Sequence, residues 1–349
     1  MPTDEVTGDY IDQLITVEMR NRAMPRGMMR PLYSAARAAQ GNRPLSLLAA
    51  EVLAERVHTG DRVAIVTGAG IPPLLPKGES DGPPGAAVLG RILQLGIGAI
   101  PVYLCEKRHA EPVIACSNAA GITVREYAAA IEFGNGSSIF TAPTEQAEVA
   151  GWAESVIGDI HPSAVISIER LGPNHVGAMH NATGVRRGPP EQVDLAPLFE
   201  TASAAKIPTI GIGDVGNEIG FGAIAHTVRE QQPYGARCRC ECGQGIACAI
   251  ATDVLVVAAI SNWGAYGIEA MLSVILGNAT LVHGATMARR LIERCLETGG
   301  YEARYGSERF MVDGVDGEVS VSVETMLAEM ARIAAEDPDP GPLHRNLTT

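Results

Sequence analysis

The chain has 349 residues, 46% of them hydrophobic and only 4% aromatic. It can therefore bury a sizeable core, which Ala, Val, Ile and Leu must fill. Lys plus Arg number 27 against 40 Asp plus Glu, a net charge of −13. That argues against nucleic acid and anionic membrane as partners and still admits a small anionic substrate at a locally basic site. The acidic segment 1–18 lacks the apolar core of a signal peptide, and no run approaches the ~18 apolar residues of a membrane span. Seven cysteines, an odd number in a long chain, make a disulfide framework a poor reading, and a cytoplasmic protein is expected.

Residues 1–60 read as helical, with an Ala/Leu/Glu-rich 3.6-like period over 45–57. An apolar strand is predicted at 62–67, followed by Gly68-Ala69-Gly70 and a Gly/Pro-rich loop over 71–85. A helix at 86–95, a strand at 98–104, a helix at 106–119 and a strand at 122–124 follow. The glycine-rich stretch 132–138 fits neither pattern. Further on come a helix at 144–157, a strand at 164–168, a polar loop over 169–190 and a helix at 195–205. A strand at 207–212 leads through glycines to a helix at 217–229. A buried strand at 253–260 leads to Ser261-Asn262-Trp263-Gly264 and helices at 265–276, 285–298 and 324–336. Strands alternating with helices imply an α/β fold, a mostly parallel doubly wound sheet with helices on both faces and long loops at the strand C-termini. With no repeat and no clear linker, one domain over 1–335 is expected, the helical segment 1–60 packed on it and the Pro-rich segment 336–349 a flexible tail.

The most informative stretch is 208–222. Gly211, Gly213 and Gly216 have the spacing of a dinucleotide fingerprint after a strand, but Asp214, Asn217 and Glu218 lie among them. Two carboxylates repel a pyrophosphate, and the acidic residue expected at the end of the next strand is missing. NAD and ATP are therefore not expected. Five polar loops each follow a predicted strand: 78–85 with Glu79 and Asp81; Glu169-Arg170 with His175, His180 and Asn181; Asp214 with Asn217 and Glu218; Ser261-Asn262-Trp263; and Asp313-Gly314. In a doubly wound sheet such loops converge on one crevice. Clustered carboxylates with Asn suit a hard cation, Mn²⁺ or Mg²⁺, or acid/base chemistry with one raised pKa. Simpler roles stay open: a turn for Asp81-Gly82-Pro83, helix capping for Asp214 and Asn217, dipole compensation for Glu218. Cys238, Cys240, Cys242 and Cys248 follow C-x-C-x-C-x₅-C, unlike the paired spacing of a zinc site. They read first as thiols of a loop, second as a structural or iron–sulfur metal site.

Taken together the loops resemble the D-glutamate cyclase family, specifically its C-terminal domain. The blocks that carry the likeness are Pro25-Arg26-Gly27; Val66-Thr67-Gly68; Gly78-Glu79-Ser80-Asp81-Gly82-Pro83-Pro84-Gly85; Ile168-Glu169-Arg170 with His180-Asn181; Gly213-Asp214 with Gly216-Asn217-Glu218; Ser261-Asn262-Trp263-Gly264; and Val312-Asp313-Gly314. The segment Gly177-Ala178-Met179-His180-Asn181-Ala182 stands where family members often carry a fuller aromatic motif. The resemblance implies a lyase that interconverts D-glutamate and 5-oxo-D-proline, a small carboxylate or lactam partner, and room for a homo-oligomer. It implies Glu169, Asp214 and Glu218 as catalytic groups and Glu79, Asp81, Asp214 and Glu218 as ligands of any Mn²⁺ or Mg²⁺. Substrate binding would fall to Arg170, Asp81, Asn181, Asn217, Ser261 and Asn262, with Arg170 on the α-carboxylate. A cyclase or amidohydrolase acting on another lactam, imide or lactone is the alternative, and a non-catalytic small-acid sensor is a third reading.

Overall fold

The computed structural model describes residues 3–19 and 26–335. Pro25 of the Pro-Arg-Gly block, Glu336 and the expected tail over 336–349 lie outside the described residues. Among the described residues the central sheet has six strands: β1 (Arg62–Val66), β2 (Ile100–Glu106), β3 (Ser138–Ala142), β4 (Ala164–Ile168), β5 (Thr209–Gly213) and β6 (Val254–Val257). Their order is β3-β2-β1-β4-β5-β6 and every pairing is parallel. After β3 the chain crosses to the other half of the sheet, so the order reverses where β1 and β4 lie side by side. Loops at the carboxyl ends of these two strands diverge and leave a crevice.

Among the described residues twelve α-helices surround the sheet: α1 (Thr3–Ile15), α2 (Met29–Ala39), α3 (Leu45–Arg56), α4 (Pro83–Ile92), α5 (Ala110–Ala119), α6 (Tyr127–Phe133), α7 (Gln146–Ile160), α8 (Ala196–Ala204), α9 (Ala225–Gln231), α10 (Ser261–Ile275), α11 (Gly284–Glu297) and α12 (Gly317–Ala335). Alternation along the strands sorts their side chains onto two faces. Val63, Ile65, Ile166, Ile168, Ile210 and Ile212 join a core with α3, α4 and α10. Ala64, Val66, Val102, Leu104 and Val165 join a second core with α7 and α8. Each Val, Leu or Ile so buried contributes ~1.5–3 kcal/mol. Helix α10 is buried on all sides from Ser261 to Ser273, wedged between α3, α4, α1 and α12. Gly264 permits this, because a Cβ there would lie 2.6 Å from Ile212 Cγ2.

The α/β architecture matches the sequence expectation, with local corrections. The third strand is Ser138–Ala142; the expected strand at 122–124 supplies only a bridge from Val124 to Ser137. The expected helix at 217–229 begins only at Ala225. Before it, Gly216 and Gly220 hold φ of +117° and +113°, and residues 220–221 bridge to Ala251. Helix α10 begins at Ser261 rather than 265, because a distant carboxylate caps it. Asp313 follows a strand outside the central sheet: it turns the two-stranded antiparallel hairpin of Met311–Val312 and Val315–Asp316.

Candidate active site

A pocket of about 360 Å³ opens over the carboxyl ends of β1, β4 and β5, and Glu79, Glu169, Asp214, Glu218 and Asp313 line it. Glu169 directly follows β4, and Asp214 directly follows β5. Asp81 arrives on the loop between β1 and α4. One carboxylate oxygen each from Asp81, Asp214 and Asp313 lie within 4.8 Å of one another, as do those of Glu169, Asp214 and Glu218. Asp214 belongs to both groups. Two full charges 4.8 Å apart repel by about 3.5 kcal/mol even at an effective dielectric of ~20. The cluster therefore holds protons or a cation. Burial, then the neighbouring Asp214, Asp81, Glu218 and Glu79, pushes Glu169 well above the usual carboxylate range. Burial and Asp313 do the same for Asp81, and burial with Asp313 and Asp81 for half-buried Glu79.

The surrounding chain aims these groups. Glu218 accepts hydrogen bonds from the backbone N–H groups of Asp214 (3.3 Å), Val215 (3.0 Å) and Gly216 (2.7 Å), so it braces the turn that presents Asp214. Gly213 makes the return path possible: a Cβ there would lie 2.7 Å from Phe221 and 3.0 Å from the Glu218 Cβ. The glycines thus let segment 218–221 lie against β5. Asp81 accepts from Ser261 N–H and Asn262 N–H, both at 2.8 Å, and so caps α10 at its positive end. Asn262 Oδ1 accepts from Gly82 and Gly85 N–H while Nδ2 donates to the Ser80 carbonyl, which fixes the loop that carries Asp81. The Ser261 hydroxyl donates to Glu169 Oε2. Glu169 and Asp313 are both left-handed, at φ +48° and +51°. For an L residue such as Glu this costs on the order of 1–2 kcal/mol, a strain that clusters at working sites.

Several expected site residues are placed otherwise. Arg170 is fully buried and does not line the pocket. Its guanidinium meets both oxygens of Glu106 at 2.6 Å and donates to the carbonyls of Gly68 and Val193. Burial would raise Glu106, but the Arg170 charge holds it below the usual range. This arginine ties the β2 and β4 ends together and is not placed to meet a substrate carboxylate. Asn181 lines the pocket, yet its Oδ1 accepts from Thr183 and Val185 and so closes a turn. Asn262 and Ser261 lie beneath the pocket. Asn217 lines it with a buried Oδ1 that meets no hydrogen-bond partner among the described residues, while its Nδ2 donates to the His180 carbonyl.

Other residues escaped the sequence reading. Arg187 and Arg304 line the pocket and are its positive charges. Arg187 is 12% exposed, and its buried Nε has no hydrogen-bond partner among the described residues. Glu302 is fully buried and accepts from Arg304, Tyr305 and Gly314 N–H, joining the loop that carries Arg304 to the hairpin that carries Asp313. No periodic pattern marks these positions; the Arg186-Arg187 pair after the turn at Gly184 is the only local signal. Among the described residues, no helix is long and apolar enough to cross a membrane.

A six-stranded parallel sheet with a carboxylate-lined pocket at its switch point defines a doubly wound α/β protein. The sequence profile of the family described as D-glutamate cyclase-like, C-terminal, matches residues 11–330, and the chain belongs to that family. It is also 30% identical over 210 residues to the human protein named D-glutamate cyclase, mitochondrial. That match covers 57% of this chain and spans 30% of the human protein's length.

Proposed function

We propose that the protein is a lyase that interconverts D-glutamate and 5-oxo-D-proline by reversible dehydrative cyclisation. The observation that carries this reading is the buried carboxylate cluster around Asp214 in a member of the D-glutamate cyclase-like family. In the cyclising direction the α-nitrogen attacks the γ-carboxyl carbon. An N–C bond forms, a C–O bond breaks, and two of the three ammonium protons leave with the departing oxygen as water. Asp214 takes the proton that frees the nitrogen lone pair. Glu169, which keeps its proton above the usual carboxylate range, gives one to the departing oxygen. Glu218 holds the Asp214 turn in place. The acidic wall attracts the α-ammonium, and Arg187 and Arg304 take the role expected of Arg170, pairing with a substrate carboxylate. Holding the substrate in a ring-ready conformer supplies much of the acceleration.

The donor set also fits a hard divalent cation, Mn²⁺ or Mg²⁺, held by Asp81, Asp214 and Asp313 with Glu79, Glu169 or Glu218 within reach. Such an ion would neutralise the cluster and polarise the γ-carboxyl group. The cytoplasmic location and the single domain over 1–335 are proposed on the same footing. The test is chirally resolved mass spectrometry of the purified chain with D-glutamate, 5-oxo-D-proline and their L forms, after chelation and after Mn²⁺ or Mg²⁺ addition. Conversion of the D pair supports the reading; no conversion under either metal condition sinks it. Turnover of another cyclic amide alone would keep the chemistry and change the substrate.

A further inference from the structure

We infer that the chain holds a structural zinc ion at a second site, built by His180, Cys238, Cys240 and Cys242. The three sulfurs form a nearly equilateral triangle: 3.4 Å from Cys238 to Cys240, and 3.3 Å from Cys242 to each of the others. The His180 Nε2 closes the fourth corner, 3.2 Å from Cys240 Sγ and 3.6 Å from Cys242 Sγ. A tetrahedron with Zn–S bonds of ~2.3 Å and a Zn–N bond of ~2.0 Å has S–S edges of ~3.8 Å and S–N edges of ~3.5 Å. The observed set lies within about half an ångström of it. Three thiols mutually close, with an imidazole nitrogen over them, suit one shared soft ion better than a disulfide, which would pair two sulfurs and leave the third idle.

The sequence spacing misled because the fourth ligand is distant. Cys248 completes the C-x-C-x-C-x₅-C string, but its sulfur lies with the Ile250 backbone, and His180 takes its place from about 60 residues upstream. Cysteines at alternate positions put three sulfurs on one side of the loop, and the intervening Arg239 and Glu241 are exposed. Asn174 stiffens the surroundings: its Nδ2 donates to the Gly245 carbonyl and lies 3.8 Å from Cys242 Sγ, while its Oδ1 accepts from Val176 and Ala178 N–H. The ion would displace three thiol protons to solvent and clamp the 238–242 loop onto the strand Met179–His180. That strand holds a wall of the acidic pocket, because the His180 carbonyl accepts from Asn217 Nδ2 and Asn181 comes next. The site is chemically separate from the carboxylate cluster: sulfur and imidazole donors here, oxygen donors there.

The full chain, purified and reconstituted with Zn²⁺, should carry one tightly held zinc by elemental mass spectrometry. Its zinc K-edge absorption should show three sulfurs at ~2.3 Å and one nitrogen at ~2.0 Å. Cys240→Ser and His180→Gln should lose the ion, while Cys248→Ser and Asp214→Asn keep it. The inference is overturned by an oxygen-rich zinc shell, by zinc lost in Asp214→Asn but kept in Cys240→Ser, or by a reconstituted chain that stays zinc-free. A disulfide among Cys238, Cys240 and Cys242 in freshly purified protein overturns it too. If the ligand variants fail to fold, the absorption spectrum of the unaltered chain decides alone.

Discussion

Replacing Arg170 by Met separates a structural from a substrate-binding arginine. Met keeps the apolar stem but removes four contacts, two to Glu106 at 2.6 Å and two to the carbonyls of Gly68 and Val193. Glu106, only 2% exposed, is left with the Val193 N–H at 2.9 Å and the buried His109 imidazole at 3.9 Å. Breaking a buried ion pair from one side costs about 3–5 kcal/mol. With an unfolding entropy of ~2.1 cal/mol/K per residue over 349 residues, this lowers Tm by about 4–7 °C. Calorimetry reads the shift, and steady-state kinetics at 20 °C (roughly, well below the transition) reads the site. KM for D-glutamate should stay within about twofold in Arg170→Met. Arg187→Met should do the reverse, with Tm nearly unchanged and KM up by about tenfold or more, the worth of a charged hydrogen bond. An Arg170→Met protein with native Tm and a raised KM would refute the placement of this arginine.

Three further outcomes follow from the same geometry. Glu169→Gln should lower turnover by about 10²–10⁴-fold and remove the alkaline limb of the cyclisation rate. Because Glu169 is raised, its proton is present at low pH and lost as pH climbs through the folded value, so a limb that survives in the variant assigns the acid elsewhere. Gly213→Ala should destabilise by about 1–3 kcal/mol in urea titrations and weaken turnover, since the new methyl group meets Phe221 and Glu218; an unchanged midpoint contradicts the packing. Away from the pocket, burial foremost, with Glu269 adding, raises Glu324 to about 8, although His283 lowers it. The native state then holds a proton that the unfolded chain releases from about 4.5, so stability is present at low pH and lost as pH rises through 8. The difference, 8 − 4.5 = 3.5, sets an upper bound of about 5 kcal/mol. His283, pushed down by burial, opposes it in more acid solution, so urea midpoints should fall most between about pH 6.5 and 8. A Glu324→Gln chain that keeps the same slope would disprove this.

The sheet was readable where strands are continuous apolar runs, as in 62–66 and 164–168, because both faces of a parallel sheet are covered. The edge strand Ser138–Ala142 was not, because its inner residues are only half-buried and Thr141 is exposed. The helix expected at 217 failed on side-chain chemistry: Glu218 spends its oxygens on the turn before it, which no propensity reports. Glu79, Asp81, Glu169, Asp214 and Glu218 could be gathered because they follow strands whose ends converge. Arg187, Arg304 and Glu302 could not, because long loops bring them in without any period. Arg170 shows the limit of adjacency: it follows a site residue, yet its side chain leaves for Glu106.

Under the proposed function this acidic pocket joins and breaks the lactam bond of 5-oxo-D-proline. Incubating 5-oxo-D-proline with the protein in H₂¹⁸O, in the metal condition that gives turnover, tests it by mass spectrometry. One ¹⁸O should appear in the γ-carboxylate of D-glutamate, at a rate sharply reduced in Asp214→Asn. An absence of labelled D-glutamate, or equal labelling by that variant, would contradict the account.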